Sequence, residues 1–195
     1  LPKGENFTLN VDRESTNSTA LDYLRSRHIA DEVIKSHAIL GTYRFNGKTV
    51  PAVGFPYMDG NVVKAVKWRS ADEEKRFSQE NVCEDFFNLD SYVDGNDVLI
   101  CEGELDALAW MSTDLPDNLT VLSIPNGAPS KVRDGKIDPK DDNKFRYIWH
   151  AKRQLRRFAA DRHIKQRRAA DQSICRLVQI NFNGATGWPS TDSVR

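Results

Sequence analysis

The stretch Asp97-Val-Leu-Ile-Cys-Glu-Gly-Glu-Leu-Asp-Ala-Leu-Ala-Trp-Met111 begins as an apolar run and then sets three carboxylates, Glu102, Glu104 and Asp106, within five residues. Val98 to Cys101 reads as a buried strand, and Glu104 to Met111 reads as a helix with Leu105, Leu108 and Ala109 turned inward. Glu102 stands where the strand ends, Gly103 lets the backbone turn tightly, and Asp106 falls in the first helical turn. Glu102 and Asp106 are therefore expected to face one small volume. Two readings of the acids are open. Acids in a first helical turn are favoured by the helix macrodipole, by about 0.3–1 kcal/mol each, and this explains Glu104. It leaves Glu102, which precedes the helix, unexplained. Hard oxygen donors gathered at a cleft edge are what Mg²⁺ requires, with phosphate oxygens and water completing its shell.

Working outward, Thr120 to Ile124 in "NLTVLSIPNGAPS" reads as a second strand running into the loop Pro125 to Ser130. Strand, helix, strand and Gly-containing loop make a βαβ unit, which implies a parallel sheet with ligand chemistry at the carboxyl ends of its strands. On the N-terminal side, "TYRFNGKTVPAVGFPYMDGNVVKAVKWRS" carries the turn dipeptides Asn46-Gly47 and Asp59-Gly60 between β-rich runs. That pattern predicts antiparallel hairpins in a small sheet of three or four strands. Before it, Thr19 precedes "ALDYLRSRHIADEVIKSHAI", whose Leu21, Leu24, Ile29, Val33 and Ile34 predict two short helices with a break near Ser26 to His28. "KFRYIWHAKRQL", residues 144–155, predicts an amphipathic helix with Phe145, Ile148, Trp149 and Leu155 as its apolar positions.

The bulk properties bound the answer. A chain of 195 residues accommodates one domain, or a core domain with a smaller subdomain. With 39% hydrophobic and 29% charged residues, and no apolar run near the roughly 20 residues that span a bilayer, a membrane role is not expected. Leu1-Pro-Lys-Gly is not a signal pattern and reads as a piece of a longer protein. Cys83, Cys101 and Cys175, odd in number and widely spaced, suit neither a disulfide framework nor paired CxxC zinc binding, and point to a reducing compartment. His28, His37, His150 and His163 lack ligand spacing. Residues 144–176 hold eleven Lys or Arg against two acids, so this neutral chain carries +9 there and −9 elsewhere. A basic strip of this kind is either a solvated face or a polyanion site.

"VLICEGELDALA" resembles the first motif of the TOPRIM fold, an apolar strand followed by E-G-x-x-D and a helix, found in DnaG-type primases, topoisomerases and related nucleases. It is most similar to the primase half of phage-type primase-helicases and their mitochondrial Twinkle relatives. The resemblance runs from about Ala20 to Leu155. "ALDYLRSRHIADEV" is similar to the helical segment that opens the RNA-polymerase region of those primases. "GFPYMDGNVVKAVKWRSADEEKRF" resembles their N-terminal subdomain strands, where basic residues face the active site, and "LSIPNGAPS" resembles their second strand and its Asn/His-Gly loop.

The resemblance implies an α/β fold: a TOPRIM-like parallel sheet with flanking helices, preceded by a small helical and antiparallel β subdomain. Residues 1–18 become a linker or tail, 19–90 the N-terminal subdomain, 91–155 the TOPRIM core, and 156–195 an atypical basic segment and tail. Glu102 would be the general base or metal-linked acid and Asp106 would help organise Mg²⁺ or Mn²⁺. Lys67, Arg69, Lys75 and Arg76 would contact nucleotide phosphates or template, and Asn126 and Gly127 would line the cleft. The implied function is synthesis of RNA primers from NTPs on single-stranded DNA, with a helicase domain elsewhere in the full-length chain. The host compartment would be a bacterial or phage-infected cytoplasm or the mitochondrial matrix.

A TOPRIM site also needs a D-x-D motif after another apolar strand, since Glu102 and Asp106 are too few ligands for two-metal phosphoryl transfer. At the corresponding place stands "RRFAADRHIKQRRAADQ", with neither feature. Either this basic segment replaces the strand and the domain binds single-stranded DNA without catalysis, as a module for an attached helicase, or the reading frame changes near residue 156. In a frame shifted by one base, codons for Asp161 to Asp171 can read I-V-I-S-N-S-D-A-P. A TOPRIM nuclease is a third reading, which the helical and β-rich region before the motif suits less well.

Overall fold

Asn17 sets the first boundary: its side-chain oxygen accepts a hydrogen bond from the Ala20 N–H at 3.1 Å, so helix α1 runs Ser18–Ser26. The start lies just ahead of Thr19, because the Asn cap takes precedence. The computed structural model describes residues 16–83, 85–93, 95–125 and 147. His28, at φ 58°, breaks the chain where a break is expected, and α2 follows at Asp31–His37. Ala20, Leu24, Ile29, Val33 and Ile34 are buried along the shared face of the two helices.

Four strands then form one antiparallel sheet in the order β1-β2-β3-β4: Ile39–Phe45, Lys48–Asp59, Val62–Ser70 and Phe77–Glu80. The first hairpin turns through Asn46 and Gly47, both at positive φ (48° and 87°), which the right-handed strand twist favours in two-residue loops. The second turns through Gly60 and Asn61, one residue later than the expected Asp59-Gly60, because Asp59 still pairs with Val62 as the last residue of β2; Gly60 has φ 58°. Alternation gives the sheet two buried faces. Val53, Phe55, Tyr57 and Ala65 join the core under α1 and α2. Ile39, Val50, Ala52, Val66 and Trp68 form a second cluster, where Tyr43 stacks on Trp68 at 5.1 Å.

The stretch that opened the sequence reading forms β5 at Asp97–Cys101 and α3 at Glu104–Met111, followed by β6 at Leu119–Ser123. β5 and β6 pair in parallel, from Asp97 against Leu119 to Cys101 against Ser123. Leu99, Cys101, Val121, Ala107 and Leu108 enter the same core as the antiparallel sheet, so the two sheets share one apolar interior. Phe87 closes the seam, meeting the Phe55 and Tyr57 rings edge-on at 6.2 and 5.7 Å. On the other side of the parallel pair, Ile100, Leu122, Phe86 and Tyr147 pack together, Tyr147 edge-on to Phe86 at 4.9 Å. The fold is thus α/β, with an antiparallel sheet and a small parallel one. The helix expected over residues 144–155 lies outside the described residues except for Tyr147, and the 1–15 and 156–195 segments lie wholly outside them. Among the described residues no helix is long and apolar enough to cross a membrane.

Gly54 faces Trp68 across the sheet, and a Cβ there would sit 2.9 Å from Trp68 Cζ3 and 3.0 Å from Val66 Cγ1. Both neighbours are held in the buried cluster and have little room to give. Gly54→Ala is therefore expected to destabilise the protein by about 1–3 kcal/mol, the usual range for overpacking. Chemical denaturation checks it; an unchanged midpoint would contradict the tight Gly54–Trp68 contact.

Candidate functional site

β5 ends at Cys101 and α3 starts at Glu104, leaving Glu102 and Gly103 as the turn between them. Gly103 has φ −140° and ψ 161°, extended backbone open to any residue. The turn therefore does not need a glycine for its backbone, contrary to the sequence reading. A Cβ at this position would meet only the Asp106 Oδ2, at 3.4 Å, an ordinary van der Waals contact, so neither backbone nor space demands a glycine here. The Asp106 carboxylate thus folds back over the start of its own helix.

Burial holds the Asp106 carboxyl above the usual carboxylate range. The negative charges of Glu102 and Glu104 push the same way, while Arg27 and the Gly103 backbone oppose them. The three acids of the turn therefore feel one another, although their environments differ sharply.

Glu104 is 4% exposed. Its Oε1 accepts from the Tyr57 hydroxyl at 2.6 Å, and the Lys67 ammonium donates to Oε1 and Oε2 at 2.9 and 3.1 Å. Lys67 also donates to the Pro125 carbonyl oxygen, at 2.8 Å. One ammonium on β3 thereby ties the first turn of α3 to the residue that leads out of β6. The sequence reading, which explained Glu104 by the macrodipole alone, missed this. Leu105 and Ala109, taken as inward, are partly buried, whereas the fully buried stripe is Glu104, Ala107 and Leu108. That stripe has the i, i+3, i+4 spacing of one helical face, so Glu104 was legible as an inward acid once Ala107 was weighed as a core residue. Tyr57, three residues before the β2–β3 turn, carried no comparable signal.

The charge of Glu104 reaches further. Burial, reinforced by Glu104, keeps the Tyr57 hydroxyl protonated well above its ordinary range. Burial and Glu104 likewise push the Cys83 thiol up to about 12, with Lys67 opposing.

The basic residues divide into two groups. Arg76 is engaged with Asp72 (2.6 Å) and with Glu74, and its backbone bonds to Ser70, so it closes the loop between β3 and β4. Lys67, Arg69 and Lys75 instead lie around one ring, that of Phe77, at 5.8, 5.9 and 5.6 Å from its centroid. The Arg69 guanidinium also lies over the Tyr23 ring at 4.7 Å, and burial lowers its pKa. Lys67, expected as a phosphate contact, has its donors directed at Glu104 and Pro125. Asn126 and Gly127 lie outside the described residues; Pro125, immediately before them, is fixed by Lys67.

Glu102 and Asp106 offer two hard oxygen donors whose mutual repulsion a divalent cation would relieve, which is the sense in which this turn fits such an ion. Among the described residues no three His, Cys, Asp or Glu side chains form a set that could hold a metal ion. An open cavity of about 540 Å³ at the β2–β3 end of the sheet has Asp59, Lys64, Val82, Asp85 and Asp90 in its described lining, and none of the acids of the turn.

The sequence has relatives among curated proteins. They are Twinkle and primase homologues. Over 138 residues the chain is 28% identical to the Arabidopsis thaliana protein named Twinkle homolog protein, chloroplastic/mitochondrial, and 27% identical to the Primase homolog protein of the same plant. Each match covers 70% of this chain, but only 18% of the first relative and 39% of the second. The chain thus spans well under half of either. No protein-family model matches the chain, and no solved structure does. At a coarse level the relatives support a primase-helicase connection.

Asp106 holds its proton more tightly in the folded protein than in the unfolded chain, where its value is near 3.8. Its contribution to stability is therefore fully present below that pH and is lost as pH rises through the raised folded value. Asp106→Asn is expected to raise Tm at neutral pH, with the gain shrinking toward zero as the pH approaches 3.8. Thermal denaturation across pH checks this; a difference that does not vary with pH would contradict it.

Proposed function

We propose that this chain is the TOPRIM-type RNA-polymerase segment of a primase-helicase, making short RNA primers on single-stranded DNA from NTPs. The observation that carries the reading is the pair Glu102 and Asp106 at the carboxyl end of a buried parallel strand, together with a sheet face that bears Lys67 and Arg69 and the loop lysine Lys75 beside it. The likeness to Twinkle and primase homologues supports the same connection.

On this reading Glu102 and Asp106 hold Mg²⁺ or Mn²⁺, and Glu102 is the acid nearest the chemistry. The ion, when bound, supplies electrostatic stabilisation of the charge that develops on the transferring phosphoryl group. Lys75 and Arg69 receive phosphates, while Lys67 acts at one remove, anchoring Glu104 and the Pro125 carbonyl. Tyr57 completes the anchor by donating to Glu104. A helicase domain would lie elsewhere in the full-length protein. The organellar name of the first relative favours a mitochondrial or chloroplast setting over a bacterial or phage-infected cytoplasm.

A second reading is favoured by the two-carboxylate turn and the missing D-x-D. In it the domain has lost catalysis and holds single-stranded DNA for the attached helicase through its basic residues, residues 144–176 included. Such binding is mainly electrostatic and weakens steeply with salt.

Mg²⁺-dependent dinucleotide synthesis on a single-stranded template separates the two. The primase reading expects synthesis by the chain and a loss of at least about a hundredfold in Glu102→Gln, the scale of removing a group that stabilises developing charge. DNA affinity with no synthesis would leave the binding module as the function of this chain.

A further inference from the structure

Phe77 opens β4, the edge strand of the antiparallel sheet, and is 50% exposed. A single exposed Phe is unremarkable on a protein surface. Its surroundings are not. Three cations from two elements converge on the ring: Lys67 and Arg69 from β3 and Lys75 from the loop before β4, all within 6 Å of its centroid. In the β3–β4 register Arg69 pairs directly with Phe77 and Lys67 with Gln79, so these side chains share one face of the sheet. That face is the one from which Lys67 reaches Glu104.

Like charges gathered on one ring repel, and the acids nearby do not offset them all. Asp72 and Glu74 are engaged by Arg76, and Glu104 by Lys67. Among the described residues neither Arg69 nor Lys75 has an ion pair. Arg69 keeps its Nε and Nη1 buried between the rings of Tyr23 and Phe77, which leaves Nη2 as the guanidinium nitrogen that can meet a phosphate. A half-exposed ring with a guanidinium and an unpaired ammonium held over it forms a surface that joins aromatic area open to solvent with positive charge. The ligand complementary to it has a flat uncharged π-face with negative charge on either side, which describes a base within a polynucleotide.

We propose that Phe77 is a stacking platform for one base of a single-stranded DNA, with Arg69 and Lys75 receiving the phosphates that flank it. The proposal rests on the nucleotide-handling function above and adds a residue and a ligand source to it. A strand is favoured over a free nucleotide for two reasons. The unpaired cations come from separate elements, β3 and the β3–β4 loop, whereas a mononucleotide carries all its phosphates on one side of the base. The platform also lies on β4, the edge strand of the sheet among the described residues, along which a strand can continue.

The test uses the whole chain and a short fluorescein-labelled oligodeoxythymidylate, read by anisotropy in EDTA so that nothing depends on the acids of the turn. Phe77→Ala is expected to weaken binding roughly five- to hundredfold with no change in the salt slope. Lys75→Ala is expected to reduce that slope by about one ion. Phe77→Trp should retain affinity, and its new indole should be quenched by the oligonucleotide beyond any change in the parent's own tryptophans, which a merely structural role would not produce. ATP alone should leave that indole unquenched. Binding by Phe77→Ala within twofold of the parent, or an unresponsive indole in Phe77→Trp, would overturn the platform. Quenching by ATP but not by the oligonucleotide would overturn the strand as its ligand. Primer synthesis, which is abolished through Glu102, can fail or succeed independently of each of these outcomes.

Discussion

The ion pair between Lys67 and Glu104 is the constraint on which the rest of the molecule turns. The antiparallel sheet and the βαβ unit arise from different local rules, hairpin turns in one and parallel pairing across a helix in the other. Apolar packing brings them together but tolerates small slides of one against the other. A single ammonium that reaches the first turn of α3 and the chain leaving β6 does not, because its donors are directional. With side-chain exposures of 17% and 5%, the pair is shielded from salt and water. Desolvation offsets much of its Coulomb energy, so its value lies less in net stability than in the penalty for separating the partners.

That arrangement also decides the electrostatics of the turn. Glu104 gives its charge to Lys67 and receives a proton donor from Tyr57, and so is spent internally. Among the described residues Glu102 and Asp106 have no lysine or tyrosine partner of this kind; Asp106 instead carries the effect of burial and of the neighbouring acids, opposed by Arg27 and the Gly103 backbone. The fold thus separates one acid that is tied to a buried lysine and tyrosine from two that are not. Tyr57 and Cys83, both drawn toward their protonated forms beside Glu104, line the structural side of this division.

Much of the fold was legible in the sequence. Turn dipeptides and alternation located the first two hairpins, and an apolar run ending in Glu-Gly located β5 and α3 almost to the residue. Local signals suffice there because the backbone geometry is itself local. The roles of Glu104 and Lys67 were harder to see, because they depend on two residues 37 apart in sequence meeting in the core. Gly103 is a different case: a glycine after a strand suggests a special φ, whereas here the backbone is extended and a Cβ would meet Asp106 only at ordinary contact distance. Phe77 gave no sign of its setting, since its three cations gather only once β3 and β4 pair.

The most direct test of this account is a double-mutant cycle on the buried pair, with Lys67→Met, Glu104→Gln and the two combined, measured by chemical denaturation. Each single variant leaves one buried charge unpaired and is expected to cost about 3–5 kcal/mol, while the double variant should cost much less than their sum, with a coupling above roughly 2 kcal/mol. Additive losses, with coupling under about 0.5 kcal/mol, would mean that Lys67 and Glu104 act independently and that the acidic turn is positioned by apolar packing alone.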